Sequence, residues 1–428
     1  MLTEAAEILC FLSILLIPLA IAGLALINTG LGRSRNAAHM MLGSLCVIAV
    51  AAMVYVIVGF SWAGYRGGAG YGLMIQGKTW DWLGAMPLFM RGLTLGLNSA
   101  SLAALLGLMS VVFAAVIPLG SAAGRWKLGG MCLSTVFLAG WTYPVFAHWA
   151  WSGWLDGLGK NFDLGVGFLD AGGAGAIQVT GGLTALSLAW ILGPRRGKFT
   201  PDRMPLAIPG HNSVYVLFGC LLCWVGWIGL DSAGAMLYTR ADAGRVVLVT
   251  VNATLGAASS ALAVAILTRF RFGKPDASLC ANGWIAGLVA TSAGCAAIPP
   301  AAAMIIGLVA GVLVTYSIEW LELHLSIDDP GGSISVHALG GLWGLLAAGW
   351  FARLGDAKVE GSQWMAQVAG MATLVGFVLP VTYAINWLLN HFRPMRVAPE
   401  GERQGLDLYE AGAGAYPDFL THNDDLQR

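Results

Sequence analysis

Asp329-Pro330-Gly331-Gly332, followed by His337 and then Gly340-Gly341-Leu342, decides how this chain is read, because the pattern also stands earlier as Asp170-Ala171-Gly172-Gly173, Gln178 and Gly181-Gly182-Leu183. In both copies a glycine pair begins two residues after the aspartate, a polar side chain follows at plus eight, and a second glycine pair begins at plus eleven. Each copy opens an apolar run long enough to cross a bilayer. A polar helix start and a polar side chain written into two spanning segments predict a chain of two related halves. That is a transporter or channel arrangement, with its site where the halves meet. The copies differ at one telling place, Gln178 against His337.

Composition fixes the class. Of 428 residues, 57% are hydrophobic and 11% charged, where soluble domains carry about 25% charged residues. The reading is a polytopic protein of the lipid bilayer. The 59 glycines suit close helix approach in lipid, where packing stands in for the hydrophobic effect. Net charge is zero, which leaves no electrostatic footprint for nucleic acid. The seven cysteines lie in or near apolar runs, and Cys220 and Cys223 have no second pair to complete a metal site. They read as small buried side chains, and no cofactor is expected. The opening Met1-Leu2-Thr3-Glu4 lacks a basic stretch, so the first apolar run reads as a retained helix rather than a cleaved signal.

A span needs about twenty apolar residues, and eleven stretches qualify: 5–29, 38–60, 98–122, 129–152, 171–193, 212–235, 246–268, 278–296, 300–321, 334–352 and 364–391. An odd number puts the termini on opposite sides. With the C-terminus inside, 15 of the 23 Lys and Arg residues fall on inner segments, which predicts the N-terminus outside and the C-terminus in the cytoplasm. Residues 61–97 form a Gly- and Trp-rich outer segment. The chain divides into a transmembrane domain, 1–391, and a polar cytoplasmic tail, 392–428. The first five spans pair with the next five, leaving the eleventh over, and because five is odd the halves insert in opposite senses. The predicted fold is all-α and polytopic, an inverted five-plus-five repeat with one further C-terminal helix.

Polar side chains inside spans mark function, because lipid makes them expensive. His337 and Gln178 occupy equivalent places, so they are expected to face each other; the amide can fix the imidazole's tautomer but cannot titrate. Asp170 and Asp329 stand at helix starts, where a carboxylate caps free N–H groups and meets the positive end of the helix dipole. Capping alone accounts for both, while an outer carboxylate near a pore mouth, Asp170 or Asp231, could also favour a cation. Trp151 and Trp227 each end a span on the outer side, where an aromatic face could hold a small cation. An intramembrane enzyme finds no support: no Ser-His or metal-ligand constellation repeats across the spans, and HExxH is absent.

Together these stretches resemble the ammonium transporter (Amt/Mep/Rh) family. The resemblance runs through Ala147-His148 with Trp151-Ser152-Gly153, Asp170 to Gly173, Trp224-Val225-Gly226-Trp227, Asn282-Gly283, Asp328-Asp329-Pro330 with Val336-His337, and Gly405-Leu406-Asp407 with Ala415-Tyr416. It covers nearly the whole chain. It implies a homotrimer of eleven-helix subunits in the plasma membrane, each with its own narrow hydrophobic pore for ammonium or ammonia. By the same resemblance Trp151 corresponds to an outer recruitment tryptophan, Trp227 to a neighbouring aromatic, Phe113 to a gating phenylalanine and His337 to the second of twin pore histidines. Asp170 corresponds to a structural aspartate. Gln178 stands where the first histidine belongs. The family's Phe-Asn-Ala-Gly-Ser appears as Leu230-Asp231-Ser232-Ala233-Gly234, so Leu230 replaces the second gate phenylalanine and Ser232 is the candidate recruitment serine. The tail resembles a regulatory segment that contacts a neighbouring subunit and receives a small trimeric nitrogen-signalling protein, although Ala411 replaces its usual histidine. Two functions stay open: a transporter, and a transporter-like sensor that binds ammonium and conducts poorly.

Overall fold

The computed structural model describes residues 2–416. Met1 and the remaining tail residues, 417–428, Arg428 among them, lie outside the described residues. The chain is an assembly of long helices running between two faces. Among the described residues ten helices are long and apolar enough to cross a membrane. They are α1 (Glu4–Leu31), α2 (Ser34–Ala63), α3 (Ser99–Ser121), α4 (Leu128–Trp151), α5 (Ala174–Leu192), α6 (Ser213–Tyr238), α7 (Ala243–Phe272), α9 (Pro300–Leu325), α10 (Ile334–Phe351) and α11, whose span is Lys358–Phe392. Between α7 and α9 lies α8 (Ala277–Ser292), 16 residues long. The expected eleven-helix, five-plus-five arrangement is therefore present, with a short eighth member.

Local chemistry sets the irregularities. Helix α1 is interrupted between Ile14 and Ile17, because Pro18 has no N–H to give and its ring crowds the Ile14 carbonyl. Helix α8 stops short of the expected 296 because its terminal carbonyls are taken from outside: Ala171 N donates to Ala293 O at 2.9 Å and Gly172 N to Ser292 O at 3.0 Å. The second motif does the same across the molecule, where Gly331 N donates to Gly120 O at the end of α3 at 3.0 Å. The α5 loop thus closes α8, and the α10 loop closes α3. Under a five-plus-five repeat, α3 corresponds to α8 and α5 to α10, so these are one contact made twice.

Small residues let the helices close. A Cβ on Gly23 of α1 would run into Gly219 O of α6, and one on Gly307 of α9 into Gly256 of α7. The outer segment holds an element the sequence reading did not foresee, an antiparallel hairpin of β1 (Gly70–Ile75) and β2 (Lys78–Gly84). Its two-residue turn, Gln76-Gly77, has φ +51° and +75°, the left-handed pair that matches strand twist. The hairpin is pinned to α4 by His148 Nε2 and Asp81 Oδ1 at 3.1 Å and by Trp149 Nε1 donating to Trp82 O at 2.6 Å. Trp80, Trp82 and Trp154 pack beside them. This end is the hairpin face; the end bearing residues 393–416 is the tail face.

Candidate functional site

The two motifs build matching helix starts. Asp170 accepts N–H groups from Gly175 at 3.1 Å and Ala176 at 2.8 Å. Asp329 accepts from Ser333 at 3.0 Å and Ile334 at 2.8 Å. Gly173 and Gly332, the last residue of each first glycine pair, have φ of +79° and +69°, which a side chain would strain. Beyond each cap the helix opens with a wide π turn, Ala174–Val179 and Ile334–Leu339, a geometry that recurs at functional places because it re-aims side chains. Asp170 caps at the hairpin face and Asp329 at the tail face, opposite ends of the molecule.

Each π turn carries its polar residue to the middle. His337 Nδ1 donates to Gln178 Oε1 at 2.8 Å, with both side chains buried. An amide oxygen can only accept, so this bond places the proton on Nδ1 and leaves the Nε2 lone pair free. Gln178 Nε2 has no partner among the described residues. The second glycine pairs bring the backbones together here: a Cβ on Gly182 would strike Ala338 N, and one on Gly341 would lie 2.8 Å from Ala174 O.

Towards the hairpin face the line is plugged by aromatic and aliphatic groups. Phe113 of α3 meets Trp227 of α6 edge-on, centroids 5.1 Å apart, with Leu230 buried one turn further along α6. The expectation that Trp227 ends a span is corrected: α6 runs on to Tyr238, about three turns further. Trp227 is a deep residue, its indole N–H donating to Ser292 Oγ at 2.7 Å. Trp151 does end its helix and lies nearer the surface. It stacks on Tyr238 at 4.0 Å with the rings 5° from parallel, and its N–H donates to Asp170 O at 2.8 Å. Trp151 and Tyr238 floor a cleft whose other walls include Tyr65, Arg66, Gly107 and Ser152.

Asp231 and Ser232, expected near the outer end of α6, are instead buried beneath that aromatic lid. Neither Asp231 carboxylate oxygen nor Ser232 Oγ has a hydrogen-bond partner among the described residues. Tyr238 and Ser292 were missed by sequence reasoning. Tyr238 carried one usable signal, an aromatic closing an apolar run as Trp151 does; Ser292 carried none.

The tail face is shut by a buried charge cluster. Asp328 accepts from Arg195 N at 2.8 Å, Nε at 2.9 Å and Nη2 at 2.9 Å, and Arg125 donates to the Asp328 carbonyl at 2.8 Å. Burial alone would raise this carboxyl, but Arg195 and Arg125 hold it at about 2. Of the three basic residues that follow α5, Arg196 meets the tail, its N–H donating to Glu402 at 2.8 Å, while Arg195 pairs with Asp328 and Lys198 with Glu322 at 2.6 Å.

The sequence profile described as the Ammonium Transporter Family matches residues 8–416. A protein named ammonium transporter Amt2 from Archaeoglobus fulgidus is 33% identical over 422 residues, 95% of this chain and 86% of the relative. The ammonium transporter of Bacillus subtilis is 30% identical, covering 96% of this chain and 98% of its own. Among solved structures, one described as a sensor Amt protein superposes with a TM-score of 0.85 at 27% identity, covering 95% of this chain and 98% of that one. Mep2 of Candida albicans shares the fold, with a TM-score of 0.76 at 24% identity, covering 93% and 87%.

Proposed function

This chain belongs to the ammonium transporter family, and from that premise we propose that it carries ammonium or ammonia across the plasma membrane, through a narrow pore in each subunit of a homotrimer. The observation that carries the reading is the buried Gln178–His337 hydrogen bond of 2.8 Å, made where two helices capped from opposite faces pass each other. Ammonium would gather at the Trp151–Tyr238 cleft, shed water, pass Phe113 and Leu230, and cross beside Gln178 and His337. Removing water from a full ammonium ion in so apolar a passage is expensive. The free Nε2 of His337 gives the passing nitrogen one hydrogen-bond acceptor in place of water. In this reading Trp151, Trp227, Asp231 and Ser232 serve recruitment and entry, Asp170 and Asp329 hold the helix starts, and residues 1–391 form the transport domain. The N-terminus lies outside, and 392–428 is a cytoplasmic regulatory tail that a small trimeric nitrogen-signalling protein could engage.

Likeness to a protein described as a sensor favours one second reading, a receptor that binds ammonium and conducts little. Purified trimer in proteoliposomes on a solid support separates the two. Ammonium pulses should give transient currents or a shift in an enclosed pH dye. Folded trimer that binds ammonium and gives neither signal would select the sensor.

A further inference from the structure

Asp231 is a buried carboxylate without a donor. A neighbouring hydroxyl is that of Ser292, whose Cβ presses on the same side of Gly172 as Asp231 does. That hydroxyl lies 2.9 Å from Leu288 O, the helix carbonyl four residues back, to which it donates, and it accepts Trp227 Nε1–H at 2.7 Å. While its one hydrogen is on Leu288 O, it has none for the carboxylate, whose two oxygens have no hydrogen-bond partner among the described residues. An ionised Asp231 would thus be buried with no hydrogen bond, an expensive arrangement. A proton on it would remove the uncompensated charge and supply a donor, with Ser292 as the neighbouring hydroxyl.

The repeat says what this position requires. Where the α10 loop meets α3, Gly331 packs against Gly120 and the side chain of Asn28 on α1. Where the α5 loop meets α8, Gly172 packs against Ser292 and Asp231 on α6. Asn28 and Asp231 are therefore counterparts, and Asn28 uses its amide hydrogen, donating to Val116 O at 3.2 Å. A carboxyl reproduces that donor only when protonated.

The neighbours agree. Two titratable groups lie near Asp231: Asp170, on the loop that carries Gly172, and the Cys295 thiol, which donates to the Asp231 backbone carbonyl at 3.7 Å. No Lys, Arg or His among the described residues pairs with it. Asp170 is saturated by helix N–H groups, so of two adjacent carboxyls it is the one built to stay ionised.

We propose that Asp231 is a proton-binding site beneath the Trp151–Tyr238 lid, and that its proton is exchanged for the arriving ammonium ion. The proposal rests on the transport reading and deepens it. In the exchange the protonated carboxyl gives its hydrogen ion to water at the hairpin face, and the carboxylate left behind is the counter-charge of one ammonium ion. When that ion moves on, the carboxylate takes a proton back. Charge and atoms balance without any other reactant. The loop Asp170–Gly173 couples the two events, since its first carbonyl holds Trp151 and its Gly172 touches Asp231.

Infrared spectroscopy of the trimer tests the proton directly. Wild type should show a protonated-carboxyl C=O band that weakens when ammonium chloride, but not sodium chloride, is added. Asp231→Asn should lack that band; asparagine is the residue of the family pattern here and the chemistry of the Asn28 counterpart. The half-saturating ammonium concentration for currents should rise on outer acidification, by up to about tenfold per pH unit for one competing proton, and should lose that slope in Asp231→Asn. If that variant yields no trimer, Ser292→Ala removes the acceptor and should move the band to higher frequency. Absence of the resting band, or a band that neither variant alters, overturns the proton site. A band that ammonium leaves untouched while currents flow overturns the exchange. A wild type with an intact resting band but no current counts against the transport reading instead.

Discussion

Gln178 and His337 bring a titratable imidazole and an untitratable amide to one buried hydrogen bond. Because Gln178 offers an oxygen, the imidazole keeps its proton on Nδ1 and presents one fixed acceptor. Gln178→His would put a second ring with a donor and an acceptor in that place, and should raise the current ratio of ammonium over potassium. An unchanged ratio would show that the pair does not set selectivity. This pair was legible from spacing alone, since two copies of one motif open with the same π turn and so aim the residue at plus eight alike. Trp227 was less legible: its distance from the surface depends on where α6 ends, and Asp231 and Ser232, polar yet buried inside the helix, suggest an end well before Tyr238, where it comes. Asp231 was visible as a carboxylate, but its isolation depends on the hydroxyl geometry of Ser292, which no local pattern encodes.

At the level of elements, α5 and α10 meet through Gly182 and Gly341, with backbone on one side and side chain on the other. Adding a methyl group there must push the halves apart, whereas a Cβ on Gly361 of α11 would meet nothing within 4 Å. Gly182→Ala and Gly341→Ala should each lower stability by about 1–3 kcal/mol through overpacking. Gly361→Ala should raise it by up to about 1 kcal/mol, because alanine suits a helix interior better. Thermal unfolding of the trimer reads all three, and a common sign would contradict the packing argument. The loop between α9 and α10 gives a pH prediction. Asp328 sits at about 2 in the folded chain against roughly 3.9 unfolded, so its contribution is present above about pH 4 and fades as pH falls towards 2. It should amount to on the order of 2 kcal/mol, and Asp328→Asn should flatten the acid limb of the stability curve. Helix count and pairing were readable from apolar run lengths. The hairpin was not, because β1 is exposed along its whole length and carries no alternating buried face; only Gln76-Gly77, after the apolar Leu73-Met74-Ile75, announced it.

Across the whole molecule, the tail ties distant helix starts together. Leu406 N donates to Asn36 Oδ1 at 2.8 Å, and Asp407 Oδ1 accepts His39 N at the start of α2 at 2.8 Å. Glu410 accepts Leu128 N at the start of α4 at 2.9 Å while its other contact is His39 Nε2 at 2.8 Å. Burial pushes the Glu410 carboxyl up, but His39 and the Leu128 N–H bring it below its usual range. Glu402 links Arg196, beyond α5, with Arg396 at 3.0 Å. Exposed pairs are worth about 0–1 kcal/mol each, but here two carboxylates fill helix N-terminal positions that have no other acceptor. Deleting residues 397–428 would strand the N–H groups of His39 and Leu128 and free α2, α4 and the end of α5 to shift against one another. The core around Gln178 and His337 touches none of these groups, so trimer stability should fall modestly while ammonium flux changes severalfold. Paired measurements of melting temperature and current in the deleted chain decide it: equal proportional losses would make the tail a structural brace, and unchanged flux would remove its regulatory role.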